Sequence, residues 1–295
     1  MAHSLLSILI VTFNRRADVE RCIESILVDL RGIEAEILVL DNGSTDGTPE
    51  MIASRYPLVR MTRWSANRGL APALRHIVDE SKGDWLLFLD SDTVLKCGCI
   101  AKLIEFAESR PRLGAVAPRP LDIDGRIQMT ARAFPGPANA LFGRQTLLSR
   151  IWPGNPLTRR FLKSTEQEAN APFACDWVAF AAVLVRRRAL VEAGSIDPRF
   201  FVYWVDADFF KRLKGAHWEV WCCPAAEIIH AEQNRPNRVR SPIAIKDFHR
   251  GALRYFYKHH GWHGLNPLLW IAAAGLWLRA RLQLAINRRR GSVDE

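Results

Sequence analysis

An α/β fold built on a mostly parallel sheet is predicted for this chain, and three observations carry the prediction. Short apolar runs of strand length alternate with longer stretches whose apolar residues recur at helical spacing. The strand-like runs are near-continuous instead of alternating, as expected of strands covered on both faces. Each run also ends in polar residues, and an open sheet gathers ligands at the carboxyl ends of its strands. With 295 residues, 48% of them hydrophobic, the chain can bury a full core and suits one large domain, or one domain with an appendage.

Residues 85–93, WLLFLDSDT, form the stretch around which the rest is arranged. Five apolar residues suit a buried strand, and its end carries Asp90 and Asp92, two residues apart and so on one side for as long as the strand persists. Two carboxylates there make a site for a hard cation. An isolated D-x-D is more often a turn or cap, so its neighbours must decide. Residues 7–12 (SILIVT) read as a first strand, followed by Asn14, Arg15 and Arg16. Residues 17–30 then place Val19, Cys22, Ile23, Ile26, Leu27 and Leu30 on one helical stripe. Residues 36–40 (EILVL) are the second strand, leading through a turn-rich loop at 41–47 to Thr48 and Pro49, which read as a helix N-cap and first helical residue. A short third strand at 59–62 is followed by Asn67-Arg68-Gly69 and a helix over 70–81. Strand, helix, strand in this order implies parallel strands with right-handed crossovers.

The polar strand ends are Thr12 and Asn14, Asp41 and Asn42, Asn67 and Arg68, and Asp90 and Asp92. Any one pair reads as capping; four along one edge describe a nucleotide crevice. The chain has neither G-x-G-x-x-G after its first strand nor G-x-x-x-x-G-K-[ST], so a metal on Asp90 and Asp92 is the expected phosphate holder.

Further on, residues 113–116 suggest a fifth strand and 123–127 a hairpin turn around Asp124-Gly125. Residues 130–175 read as loop-rich, with Trp152 and a basic group of Arg159, Arg160 and Lys163 that suits either a solvated surface or an anionic donor or lipid phosphate. Residues 177–185 read as a strand and 188–193 as a short helix ended by Gly194. Phe200 and Phe201 then precede Val205-Asp206-Ala207-Asp208, where a rigid helix start aims Asp206 into the crevice and Asp208 reads as support or cap. A last strand, 226–230 (AEIIH), ends at His230.

The segments SILIVTFNR, LDNGSTDGT, NRGLAPALR, WLLFLDSDT, WVAFAAVLVRRRALVEAGSIDPRFFVYWVDADFFKRL and CCPAAEIIH follow one another over residues 7–230. In that order they resemble the inverting family 2 glycosyltransferases, and among them the bacterial rhamnosyltransferase-like branch. The resemblance implies the GT-A nucleotide-diphospho-sugar fold over residues 1–230. It implies nucleotide-sugar contacts from Thr12, Asn14, Arg15, Asp41, Asn67, Arg68 and Asp90, and a divalent cation held by Asp90, Asp92 and His230. It also makes Asp206 the catalytic base and puts a mobile acceptor-side loop within 130–175. Carboxylates mixed with an imidazole lean toward Mn²⁺ and admit Mg²⁺. The family usually has Glu where this chain has Val205, which puts one acceptor hydrogen bond in doubt.

Residues 231–295 read as a basic, hydrophobic helical appendage that faces a membrane. Residues 234–295 hold 12 Lys/Arg against 3 Asp/Glu, nine of the ten net positive charges of the chain. Ser241-Pro242 opens a helix whose stripe runs through Ile245, Phe248, Ala252, Tyr255, Phe256 and His259 to a stop at Gly261. Residues 264–278 carry no charge, a run shorter than the roughly 20 residues that span a bilayer, which favours a helix lying in an anionic membrane interface over one packed on the protein's own core. Six cysteines without C-x-x-C spacing read as free thiols, and the amino terminus lacks the marks of a signal peptide. The expected location is cytoplasmic, peripheral on the inner face of the plasma membrane.

The function so predicted is inverting, metal-dependent transfer of a sugar from a dTDP- or UDP-sugar, with dTDP-L-rhamnose as one candidate, to a hydroxyl of a lipid-linked or cell-envelope glycan. Two alternatives stand beside it: a non-catalytic sugar-nucleotide or envelope-binding protein, and a sugar nucleotidyltransferase, which would need a Gly-rich phosphate loop after the first strand. No zinc-finger or RNA-recognition pattern accompanies the basic tail, so nucleic acid is not an expected partner.

Overall fold

A computed structural model describes residues 5–30, 32–134, 164–231, 241–260 and 267–289. Its strands are β1 (Leu6–Thr12), β2 (Ala35–Asp41), β3 (Val59–Arg63), β4 (Trp85–Asp90), β5 (Thr93–Leu95), β6 (Leu113–Leu121), β7 (Phe173–Ala174), β8 (Ala182–Arg186) and β9 (Glu219–His230). They join in one sheet of order β3-β2-β1-β4-β8-β6-β9-β5, with β7 on β9. The half built from β1 to β4 is parallel throughout, as its near-continuous apolar runs predict. Beyond β4 the sheet is mixed, because β8 pairs antiparallel with both β4 and β6.

The helices are α1 (Arg16–Asp29), α2 (Thr48–Arg55), α3 (Leu70–Glu80), α4 (Cys99–Glu108), α5 (Ser164–Glu168), α6 (Arg187–Ala193), α7 (Val205–Gly215), α8 (Pro242–His259) and α9 (Pro267–Arg289). Alternation along β1 divides them between two cores. Ile8 and Ile10 face the residues of α1, α2 and α4, such as Ile23, Ile52 and Leu103. Leu9 faces the other way, to the core containing Leu74 and Ile77 of α3, Leu190 of α6 and Phe209 and Phe210 of α7. Tyr255 and Phe256 of α8 belong to this second core, so the first carboxyl-terminal helix packs directly on the sheet-and-helix body. Burying an aromatic such as Phe256 stabilises by roughly 1.5–3 kcal/mol.

Three local expectations change. Thr48 is the first helical residue of α2 and not its cap; Gly47 precedes it in the left-handed region, and Asp46 Oδ1 takes the Thr48 N–H and hydroxyl. The strand expected over 177–185 starts only at Ala182, because the Ala181 carbonyl turns to meet the β4–β5 turn. The strand expected over 226–230 begins as early as Glu219, since its first part, Glu219–Cys223, is paired by β6 and, at Trp221 and Cys222, by β7. The hairpin turn at 123–127 is present, closed by the Gly125 N–H on the Asp122 carbonyl and by a Leu121–Ile127 bridge. Residues 135–163, with Trp152, Arg159, Arg160 and Lys163, and the stop at Gly261 lie outside the described residues.

Candidate active site

The site is built outward from the end of β4. Strand geometry stops at Asp90, and Ser91-Asp92 form a turn before β5. The proximity of the two aspartates therefore comes from this turn and not from strand alternation. The Ala181 carbonyl pins it, accepting the Asp90 N–H at 3.0 Å and the Thr93 hydroxyl at 2.9 Å. Below the turn, Phe180 stacks on Phe88 of β4 at 5.1 Å and on Phe209 and Phe210 of α7, both at 5.7 Å, which ties the aspartate strand to the Asp206 helix.

His230 reaches the turn through strand register. Thr93 pairs with His230 across the antiparallel β5–β9 ladder, bringing the imidazole Nε2 to 3.3 Å from Asp92 Oδ1 and 3.7 Å from Asp90 Oδ2. Asp92 and His230 are buried, Asp90 is partly open, and one ligand atom from each falls within 4.8 Å of the other two. Gln128 grips the end of β9 twice: its amide nitrogen donates to the His230 carbonyl at 2.7 Å, and its carbonyl oxygen lies 3.0 Å from His230 Nδ1. With the Gln128 nitrogen so engaged, its oxygen faces the ring and Nδ1 carries the proton, so Nε2 aims at the carboxylates. Burial alone would raise the Asp92 carboxyl; the hydrogen bond and charge of His230 and the charge of Arg15 outweigh it and hold Asp92 below its usual value.

The donor set fits a divalent cation. Asp92 Oδ2 is buried without a hydrogen-bond partner. An imidazole nitrogen directed at two carboxylates needs a proton or a cation between them: the proton gives the charge that lowers Asp92, and a divalent ion would take its place.

The expected nucleotide edge assembles beside this cluster. Thr12 pairs with Asp41 across β1–β2, and Val11 pairs with Asp90 across β1–β4. Thr12 Oγ1 and Asp41 Oδ1 are buried without partners, while Asp41 Oδ2 takes the Ser44 N–H. Asn14, in the left-handed region at φ 50, takes the Thr45 N–H on its side chain and donates its own N–H to Ser44 Oγ. Asn42 holds the next loop by donating to Asn67 Oδ1 and the Gly69 carbonyl and accepting the Arg68 N–H. Arg68 stacks its guanidinium 4.8 Å from the Trp64 ring, and Arg15 pairs with Asp18 at 3.1 Å.

Asp206 stands apart from the metal-type cluster, in the first turn of α7. Burial pushes its carboxyl up to about 6, against the lowering effect of the Ala207 N–H and of the charge of Arg132. Two residues on, Asp208 is fully buried and pairs with Arg212 of its own helix and with Lys258 and His259 of α8. It is committed to packing α7 against α8, the supporting role its position predicts. Val205 is also buried, its side chain in the core, so the position where the family usually has Glu offers the crevice no hydrogen bond. Gln128 and the Ala181 carbonyl are absent from the sequence-based set; a lone glutamine after a hairpin and a backbone carbonyl carry no motif.

This fold and site define a glycosyltransferase of the GT-A architecture with a helical carboxyl-terminal part. The chain belongs to glycosyl transferase family 2, whose sequence model matches residues 7–179. It is 31% identical to the N-acetylglucosaminyl-diphospho-decaprenol L-rhamnosyltransferase of Mycobacterium tuberculosis, over 97% of this chain and 95% of the relative. Among solved structures, GalNAc-T7 with UDP, GalNAc and Mn²⁺ superposes with a TM-score of 0.61 at 17% identity, covering 85% of this chain and 48% of the other. The mannosyltransferase PcManGT of Pyrobaculum calidifontis, in complex with GDP-Man and Mn²⁺, gives 0.57 at 16% identity, covering 98% and 76%. At such identities the two structures share the fold with this chain.

Proposed function

We propose that this enzyme is an inverting, metal-dependent transferase that moves L-rhamnose from dTDP-L-rhamnose, or a related sugar from a dTDP- or UDP-sugar, to a hydroxyl of a lipid-linked or cell-envelope glycan. The observation that carries the mechanism is the split of the carboxylates: Asp90 and Asp92 cluster with His230, while Asp206 stands on another element with a raised proton affinity. The similarity to the mycobacterial rhamnosyltransferase supports the donor and the lipid-linked acceptor.

In this reading Asp206 accepts the proton of the acceptor hydroxyl as its oxygen bonds to the anomeric carbon and the bond to the nucleoside diphosphate breaks on the opposite face. Thr12, Asn14, Arg15, Asp41, Asn67 and Arg68 bind and orient the nucleotide. Asp90, Asp92 and His230 would hold a divalent ion, Mn²⁺ or Mg²⁺, which would supply positive charge to the departing diphosphate. Among the described residues no helix is long and apolar enough to cross a membrane. The basic α8 and α9 instead provide peripheral contact with an anionic membrane that holds the acceptor.

The test supplies purified protein with dTDP-L-rhamnose, UDP-sugars and a synthetic lipid-diphosphate N-acetylglucosamine acceptor. Transfer with inverted anomeric configuration is expected, lost on chelation and restored by Mn²⁺ or Mg²⁺. Retained configuration, or full activity after exhaustive chelation, would sink the mechanism.

A further inference from the structure

Helix α8 lies outside the residues matched by the family model, yet it grips the irregular stretch that leads into α7. Asp247 Oδ2 accepts the N–H groups of Val202 and Tyr203, both at 3.0 Å. The next residue, Trp204, is forced into the left-handed region at φ 72, an arrangement that a bulky residue keeps only when its surroundings impose it. Those surroundings come from α8: the Trp204 ring packs against Phe248, Tyr255 and Phe256 at 5.3–5.9 Å. Gly251 allows the approach, since a Cβ there would meet the Tyr203 carbonyl at 2.8 Å and Trp204 Cδ1 at 2.9 Å. On its other side the same stretch caps α3, the Phe201 carbonyl accepting the N–H groups of Leu70 at 2.6 Å and Ala71 at 3.2 Å, directly after Asn67-Arg68-Gly69.

We infer that Asp247 is a positioning residue for the transfer reaction: by holding the Val202 and Tyr203 amides it sets where α7 begins, and so where the Asp206 carboxyl stands relative to the nucleotide loop. The inference rests on the reading of Asp206 as the base. Asp208, buried in its pairs with Lys258 and His259, fixes α7 to α8 two residues after Asp206, so Asp206 is bracketed by two attachments to the same helix. A carboxylate receiving two backbone N–H groups is a charge-assisted anchor, stronger than the same contacts made to a neutral acceptor. General-base catalysis tolerates little misplacement of the accepting oxygen, and a shift of about 1 Å can lower turnover by about 10²-fold.

The experiment compares full-length wild type with Asp247→Ala, Asp247→Asn and Asp206→Asn, measuring kcat, donor KM and the thermal midpoint. Asp206→Asn is expected to abolish most turnover. Asp247→Ala is expected to lower kcat by about 10- to 100-fold with donor KM unchanged. Asp247→Asn keeps a carbonyl oxygen for the two amides and is expected to recover most of the loss. If Asp247→Ala does not fold, Asp247→Glu, whose longer side chain displaces the same acceptor, carries the test with the same expected split. Wild-type kcat in the Ala or Glu variant overturns the inference, as does an Asn variant no better than Ala, or a loss that appears in donor KM. Near-normal turnover in Asp206→Asn instead overturns the base assignment, a separate failure.

Discussion

Asp92 and Asp206 carry the same side chain in opposite settings, and the setting decides what each can do. Asp92 lies beside His230 and within the field of Arg15, which keeps it ionised, whereas Asp206 is desolvated and holds its proton up to about 6. A base with that affinity is matched to neutral pH, so kcat/KM is expected to fall about tenfold per pH unit below about 6. The same shift has a stability consequence. The folded value lies above the unfolded one, so the folded state binds more protons between the two, and stability falls as pH rises from the ordinary carboxylate range through about 6. Asp206→Asn is therefore expected to raise the thermal midpoint at pH 7, by the equivalent of roughly 1–3 kcal/mol, while lowering kcat by about 10²- to 10⁴-fold. A variant less stable than wild type would show that the carboxyl is not strained as argued. At this scale the residues at strand ends were legible, because Thr12, Asp41, Asp90 and Asp92 follow apolar runs that mark where a strand must stop. The field at Asp206 was not, since the charge of Arg132 reaches it from 74 positions earlier in the chain.

Elements explain why the metal-type cluster forms at all. β9 delivers His230 by pairing with β5 over three residues and with β6 as far as Ile229, but the His230 side chain needs a hold of its own. The loop after β6 supplies it: the Gln128 N–H bonds the Pro120 carbonyl at 2.8 Å, and the Gln128 side chain takes both the backbone and the ring of His230. Partners that orient a ligating imidazole are typically worth 10- to 100-fold in metal affinity. Gln128→Leu is accordingly expected to weaken Mn²⁺ binding by about that factor, read by calorimetry or Mn²⁺ electron paramagnetic resonance without substrate. Unchanged affinity would mean that the His230 ring is held by other contacts. The sequence revealed the strand and helix succession of residues 6–95 because each apolar run there has a local period. It could not reveal that 177–181 leaves the sheet, since an apolar run reads alike whether it pairs as a strand or wraps a turn. Nor does the stripe of Ile245, Ala252 and Tyr255 say what it packs against; α8 reads as an appendage from its charge and proves to be part of the core.

At the scale of the whole molecule, most of the net charge and an exposed apolar helix face fall in the same carboxyl-terminal part of the chain. Nine of the ten net positive charges fall in residues 234–295. Among the described residues of α9 the exposed large ones are Trp270, Trp277, Leu278 and Leu282, and the helical repeat of 3.6 sets them within one arc together with Arg281, which lies over the Trp277 ring. An apolar arc bearing tryptophans, with an arginine among them, suits the boundary between headgroups and acyl chains, where each basic residue contributes about 1 kcal/mol on an anionic surface. Removing residues 241–295 would also remove α8, which carries Tyr255 into the core and holds Asp208, so loss of binding by that truncation would not separate membrane contact from unfolding. Deletion of residues 267–295 leaves α8 in place and isolates the question. The full chain is expected to co-sediment with vesicles rich in anionic lipid at low salt and to be released as salt rises, because the charge contribution is screened. The deletion, and Trp270→Ser/Trp277→Ser in the full chain, are expected to bind weakly under the same conditions while turning over a water-soluble acceptor at the wild-type rate. Equal vesicle binding by all three proteins would show that the apolar arc of α9 does not make the membrane contact.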